Sequence, residues 1–289
     1  MAFVVRNRAE RRVAGAVLAA LVLGSGAVAC SKGGGSEESP QMTPAAAVAA
    51  AAKNSAGITA LHYSMSGTMP GAGTIRAEAR MSMKPLAMTM KMSSSVQKTA
   101  EPVEIRYVGS VMYINGGAEA AKELKGKHWL KFDLSGTAAA QQMNSQPAGA
   151  GQANQNPAQD STFLSTSKNV QKVGTETVKG VKTTHYKGEI TVGQMREALK
   201  NQKLGKAARE QREKSIDQYA ALGADKMSMD LWIDGDSHVK QFRMRGDTSK
   251  GAMDVTTVFL DYDKPVSVTA PAAGDTVDLA AMMKDAQQG

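Results

Sequence analysis

Thr74 to Met92 reads TIRAEARMSMKPLAMTMKM, and the spacing of its apolar residues decides the fold. Met81 pairs with Met83, and Met88 with Met90 and Met92, at every second position. A period of two puts each set on one face of a β-strand. The intervening Lys84-Pro85 is turn chemistry, so the two strands are neighbours in a hairpin. Working outward, the same alternation predicts strands over Leu61–Met69, Val103–Val108, Ser110–Ile114 and Trp129–Leu134. It returns over Gln171–Val178, Val181–Thr191, Met227–Asp234, His238–Arg245 and Ala252–Tyr262. Gly71 to Gly73, Gly109, Lys179-Gly180, Gly235-Asp236 and Lys250-Gly251 supply turns.

Three regions follow a helical period instead. Thr43-Pro44 reads as an N-cap followed by proline in the first turn, opening an Ala-rich helix that ends at Gly57. Thr162 to Val170 reads as a short helix. Gly193 to Leu222 reads as a longer one, broken near Gly205, with Met195, Leu199, Ile216, Tyr219 and Leu222 as apolar anchors. Between the two halves lies residues 136–160, rich in Ala, Gln, Asn, Gly and Pro with almost no large apolar side chain. That composition cannot supply core, so it is read as a mobile insertion. Neither flank is complete without the other, so residues 43–280 are expected to form a single α+β domain of about ten antiparallel strands. Residues 281–289 are read as a tail.

The N-terminal end is a targeting segment, to be set aside before fold reasoning. Arg6, Arg8, Arg11 and Arg12 precede an apolar run from Val13 to Leu23, too short to span a bilayer, which needs roughly 20 apolar residues. Ala27-Val28-Ala29-Cys30 then resembles a bacterial lipobox. Residues 1–29 are read as a signal peptide cleaved between Ala29 and Cys30, with Cys30 acylated. Cys30 is the only cysteine among 289 residues, and a lone thiol in an exported protein is otherwise a liability. Arg11-Arg12 leaves the export route, general secretory or twin-arginine, open. Residues 30–42 form a flexible tether of roughly 20 Å. The expected place is therefore the outer face of the cell membrane, held by lipid. After cleavage 31 basic and 26 acidic residues remain, scattered too evenly for a nucleic-acid partner.

No catalytic signature is present: no GxSxG, no HExxH, no P-loop. His62, His128, His185 and His238 sit in separate strands without metal-ligand spacing. Asp230, Asp234 and Asp236 read as turn residues. No cofactor is expected. The 18 methionines are the unusual feature beside 4% aromatics. Met88, Met90, Met92, Met227, Met229 and Leu231 are taken, on strand alternation alone, as candidates to line an apolar cavity. Soft thioethers also suit Cu(I), but the local runs lack the His or Cys that usually completes such a site.

Three strands carry a family likeness: Trp129-Leu130-Lys131-Phe132-Asp133-Leu134, Thr184-His185-Tyr186-Lys187-Gly188 and Asp230-Leu231-Trp232-Ile233-Asp234. In these the chain resembles the actinobacterial LppX/LprG-type lipoproteins and, more distantly, the carrier LolA. The resemblance implies a strongly curved, half-open antiparallel sheet wrapped around a few helices. It also implies an apolar cavity that takes lipid acyl chains, without fixing individual cavity residues. A monomeric, non-enzymatic lipid or amphiphile binder is the expectation. An interaction or sensory lipoprotein with a filled core, contacting cell-envelope proteins, is the alternative, and Met-based Cu(I) binding a third.

Overall fold

The computed structural model describes residues 42–97, 101–135, 157–167 and 169–282. The signal peptide, Cys30, the tether up to residue 41 and most of the 136–160 insertion lie outside the described residues. The first described element is α1 (Pro44–Gly57). Thr43 Oγ1 accepts the Ala46 N–H at 3.3 Å, and Pro44 stands in the first turn. The helix turns Ala47, Val48, Ala51 and Ser55 inward.

Twelve strands form one open sheet. They are β1 (Ala60–Met69), β2 (Gly73–Met83), β3 (Leu86–Ser94), β4 (Val103–Val108), β5 (Val111–Asn115) and β6 (Trp129–Asp133), then β7 (Gln171–Val178), β8 (Val181–Thr191), β9 (Lys226–Asp234), β10 (Val239–Thr248), β11 (Gly251–Tyr262) and β12 (Thr276–Asp278). Their order is β12-β6-β5-β4-β3-β2-β1-β11-β10-β9-β8-β7. Each half is a meander of hairpins, and β1 and β11 join the halves in antiparallel register. The sheet therefore runs through both halves without a break.

Alternation translates directly into register. Met81, Met88, Tyr107 and Met112 oppose one another across β2 to β5, and Ala79, Met90, Ile105 and Ile114 form the next row. In the other half Met229 faces Met244, and Leu231 faces Phe242. These rows share one buried face and one core.

The helices lie over the end of that face formed by β7 to β9. α2 (Gly117–Glu123) is a short link between β5 and β6. α3 (Pro157–Asp160) runs into a 3-10 turn (Ser161–Thr166), and α4 (Val192–Asn201) and α5 (Lys206–Ala221) follow β8. α1 packs on the 3-10 turn, which itself rests on β8 and β9. The turn drives Phe163 and Leu164 into the core. Gly188 of β8 makes this approach possible, because a Cβ there would come 2.7 Å from Leu164 Cδ1. α4 starts with a reciprocal cap, since Thr191 Oγ1 accepts the Gln194 N–H and Gln194 Oε1 accepts the Thr191 N–H.

Four expectations need correction. The sheet has twelve strands and not ten. β12 pairs with β6 in parallel, in a stretch after Pro271 for which no strand is predicted, since three residues are too few for alternation to be read. α2 occupies a stretch between β5 and β6 for which no helix is predicted. The last four residues of the supposed insertion, Pro157–Asp160, are helical and carry buried Ala158. Their small and polar side chains hid that role.

Candidate functional site

The six residues singled out as cavity candidates all lie on the inner face, and none is among those lining the void described below. Met88, Met90, Met227, Met229 and Leu231 are buried in the packed core, and Met92 is half-buried at its margin. Alternation identifies the face correctly. Whether a position on that face meets a helix or a void depends on where the helices land.

The void lies instead over the centre of the sheet. Met65 and Met69 of β1, Phe242 and Met244 of β10, and Met253 and Val255 of β11 form its floor, with Pro157, Asp160, Tyr219 and Leu222 above. Its volume is about 110 Å³, and it is partly open to solvent. That is below the roughly 150 Å³ of an apolar cavity able to take up one benzene. Four thioethers give a lining that adapts its shape. Met65 and Met69 could have been found from β1 alternation. Asp160 had one signal, its place just before the apolar Phe163-Leu164 pair.

Asp160 is the acidic group of this cavity. It ends α3 at the edge of the void and is half-buried there. Burial pushes its carboxyl up to about 6, against the opposing pull of Arg212 and hydrogen bonds from Tyr219 and Ser215. Tyr219 Oη lies 3.5 Å from Asp160 Oδ2, a long contact. Tyr63, beneath it in β1, has its phenol pushed up to about 12, chiefly by burial and next by the Asp160 charge. Burial likewise holds the Tyr219 phenol well above its ordinary range. Both phenols are therefore neutral donors at physiological pH. Arg212 of α5 donates to Thr162 Oγ1 at 2.6 Å and stacks over Phe163 at 5.2 Å. It does not line the cavity.

The outer face carries a second polar cluster, built from the motif strands. His185 and Trp232 sit opposite one another in register, and their rings stack at 4.1 Å. His185 Nε2 lies 2.8 Å from Asp230 Oδ1 and Nδ1 lies 2.9 Å from Glu176 Oε1. Trp232 Nε1 donates to Glu176 Oε2, and Arg245 Nη2 donates to Asp230 Oδ2 at 2.5 Å. The Trp232 bond, ahead of His185, holds the Glu176 carboxyl below its usual range. Asp230 is thus a buried mid-strand acid and not a turn residue, which corrects the reading from sequence. Every charge here has a partner, the condition under which buried charges are tolerated. The cluster clamps β7, β8, β9 and β10 together on the side away from the cavity.

Asp234 does serve its turn, with Oδ1 accepting the Asp236 and His238 N–H groups. Together with Asp236 and His238 it forms the one grouping among the described residues that could hold a cation. That lone pair of backbone bonds already occupies one carboxylate oxygen.

Fold and cavity define the class: an open antiparallel sheet with helices on one face and a void between the layers. No family model matches the chain. It is 33% identical over 187 residues to a 31.2 kDa protein encoded between rplA and rplJ in Streptomyces griseus, covering 63% of this chain and 58% of that one. It is 29% identical over 197 residues to a candidate lipoprotein of Streptomyces coelicolor, covering 65% and 54% respectively. The chain thus spans a little more than half the length of these curated relatives. Among solved structures it is similar to the lipoprotein LppX of Mycobacterium tuberculosis. That match covers 78% of this chain and 98% of LppX, at 16% identity and a TM-score of 0.48.

Proposed function

We propose that the chain is an extracytoplasmic lipoprotein, held at the membrane by acylated Cys30, that binds an amphiphile without catalysis. One observation carries this reading: a thioether-lined void between sheet and helices, with a single carboxyl at its edge. Each methylene buried there contributes about 0.8 kcal/mol. A void of about 110 Å³ takes a head group or a few methylenes, and a longer tail would leave through the open side. The lipoprotein description of the Streptomyces coelicolor relative supports the anchor. Among the described residues no helix is long and apolar enough to cross a membrane.

Native mass spectrometry of the full chain after mild extraction tests the reading. The expected result is a co-purified amphiphile, or uptake of one added at micromolar concentration. A protein that is bare and takes up none overturns it. In that event the second reading stands, an interaction lipoprotein. The filled interior around Met88, Met90, Met227 and Met229 favours it.

A further inference from the structure

We infer that the cavity selects amphiphiles whose polar end is cationic or donates hydrogen bonds, and excludes anionic ones, with Asp160 as the selecting group. This rests on the amphiphile-binding reading above and names the ligand class of the same site.

The argument starts from the lining. Its polar members are the hydroxyls of Tyr63, Tyr219 and Thr257, the Gln218 amide and the Asp160 carboxyl. No lysine, arginine or histidine is among them, so the charge presented to a ligand is negative. The groups that face Asp160 from the packed elements are few. Arg212, Ser215 and Tyr219 approach from α5, and Tyr63 from β1. The two phenols are held neutral and cannot compensate a carboxylate. Arg212 lies outside the lining, with Nη2 on Thr162, its plane over Phe163 and Nη1 buried without a hydrogen bond, and its charge offsets the carboxylate only in part. The Tyr219 contact, at 3.5 Å, is long. With the Ser215 hydroxyl and this long phenol contact as its hydrogen-bond donors, Asp160 keeps acceptor capacity on the side bordering the void.

A sulfate, phosphate or carboxylate head in so small a space would put a second negative charge beside the first in a poorly solvated setting. An ammonium head would supply the missing donors and a counter-charge, forming a charge-assisted hydrogen bond. An alcohol would donate one bond without the charge. The order of preference should follow ammonium, alcohol, sulfate. Because burial lifts the carboxyl to about 6, acid protonates Asp160 and weakens the discrimination.

The test uses the full chain and three probes of equal tail length, decylammonium, decanol and decyl sulfate, below their micellar concentrations, read by native mass spectrometry. At about pH 8 decylammonium should bind at least about tenfold more tightly than decyl sulfate, which corresponds to 1.4 kcal/mol. At about pH 5 that ratio should fall several-fold. Asp160→Asn should erase the ratio while keeping decanol binding, and Asp160→Glu should preserve it. Decyl sulfate binding as well as decylammonium, or Asp160→Asn leaving the ratio intact, overturns the inference and leaves amphiphile binding standing. If Asp160→Asn loses decanol as well, the wild-type ratio at the two pH values decides alone. Failure of all three probes overturns the amphiphile reading itself, and this inference with it.

Discussion

Two aspartates, Asp230 buried and Asp160 half-buried, show how environment sets the cost of a charge. Asp230 is matched by His185 and Arg245 within hydrogen-bond distance. Asp160 has a long phenol contact, the Ser215 hydroxyl and the nearby charge of Arg212, whose Nη2 bonds Thr162, and these do not offset its burial. Its folded carboxyl lies at about 6 against 3.8 for the free group. Between these values the native chain holds a proton that the unfolded chain has released. This group's contribution to stability is therefore greatest below 3.8, declines as pH rises to 6, and stays low above it. Asp160→Asn removes the charge in both states. It should stabilise the fold by up to roughly 3 kcal/mol at about pH 8, less whatever solvation the void returns. Near pH 3 it should do nothing. Urea denaturation at both pH values reads the difference, and a variant no more stable than wild type at about pH 8 contradicts the assignment.

Secondary elements were the most legible part of the chain, and the physics explains both the reach and the failure. Long strands such as β8 and β11 carry enough alternating positions for the period to be read, and their predicted bounds differ from the observed ones by a residue or so at most. A three-residue strand such as β12 offers no period. The strand face of Met88, Met90, Met227 and Met229 was equally readable. Its covering was not, because that depends on non-local docking, such as that of the 3-10 turn on β8 and β9. Gly188 marks where this docking is controlled. Gly188→Val would thrust methyls into Leu164, and overpacking of this kind costs typically 1–3 kcal/mol. The expected signature is local. Amide exchange should accelerate over Leu164–Ser167, with a lower urea midpoint, while the β1–β2 amides keep their protection relative to global unfolding. Uniform loss across the sheet would show that the turn is not a separate unit.

At the scale of the whole molecule, the proposed anchor sets place and the sheet sets shape. Cys30→Ser removes the proposed acylation site and lies outside the described fold. The variant is expected to leave the membrane pellet and appear in the soluble extracytoplasmic fraction, as fractionation and blotting would show. One acyl chain alone binds only marginally, so persistence of the variant at the membrane would mean that another contact holds it.

The strand order has a consequence for incomplete chains. β1 is made early, yet its partner β11 is not finished until Tyr262. The seam between the two meanders is thus the last long pairing the chain can make, closing a separation near 200 residues. A product truncated before Gly251 would leave β1 and β10 each with a long bare flank at the middle of the molecule. Such flanks invite pairing with other chains, so nonsense or proteolytic fragments ending there should aggregate, whereas loss of β12 exposes only the short margin of β6.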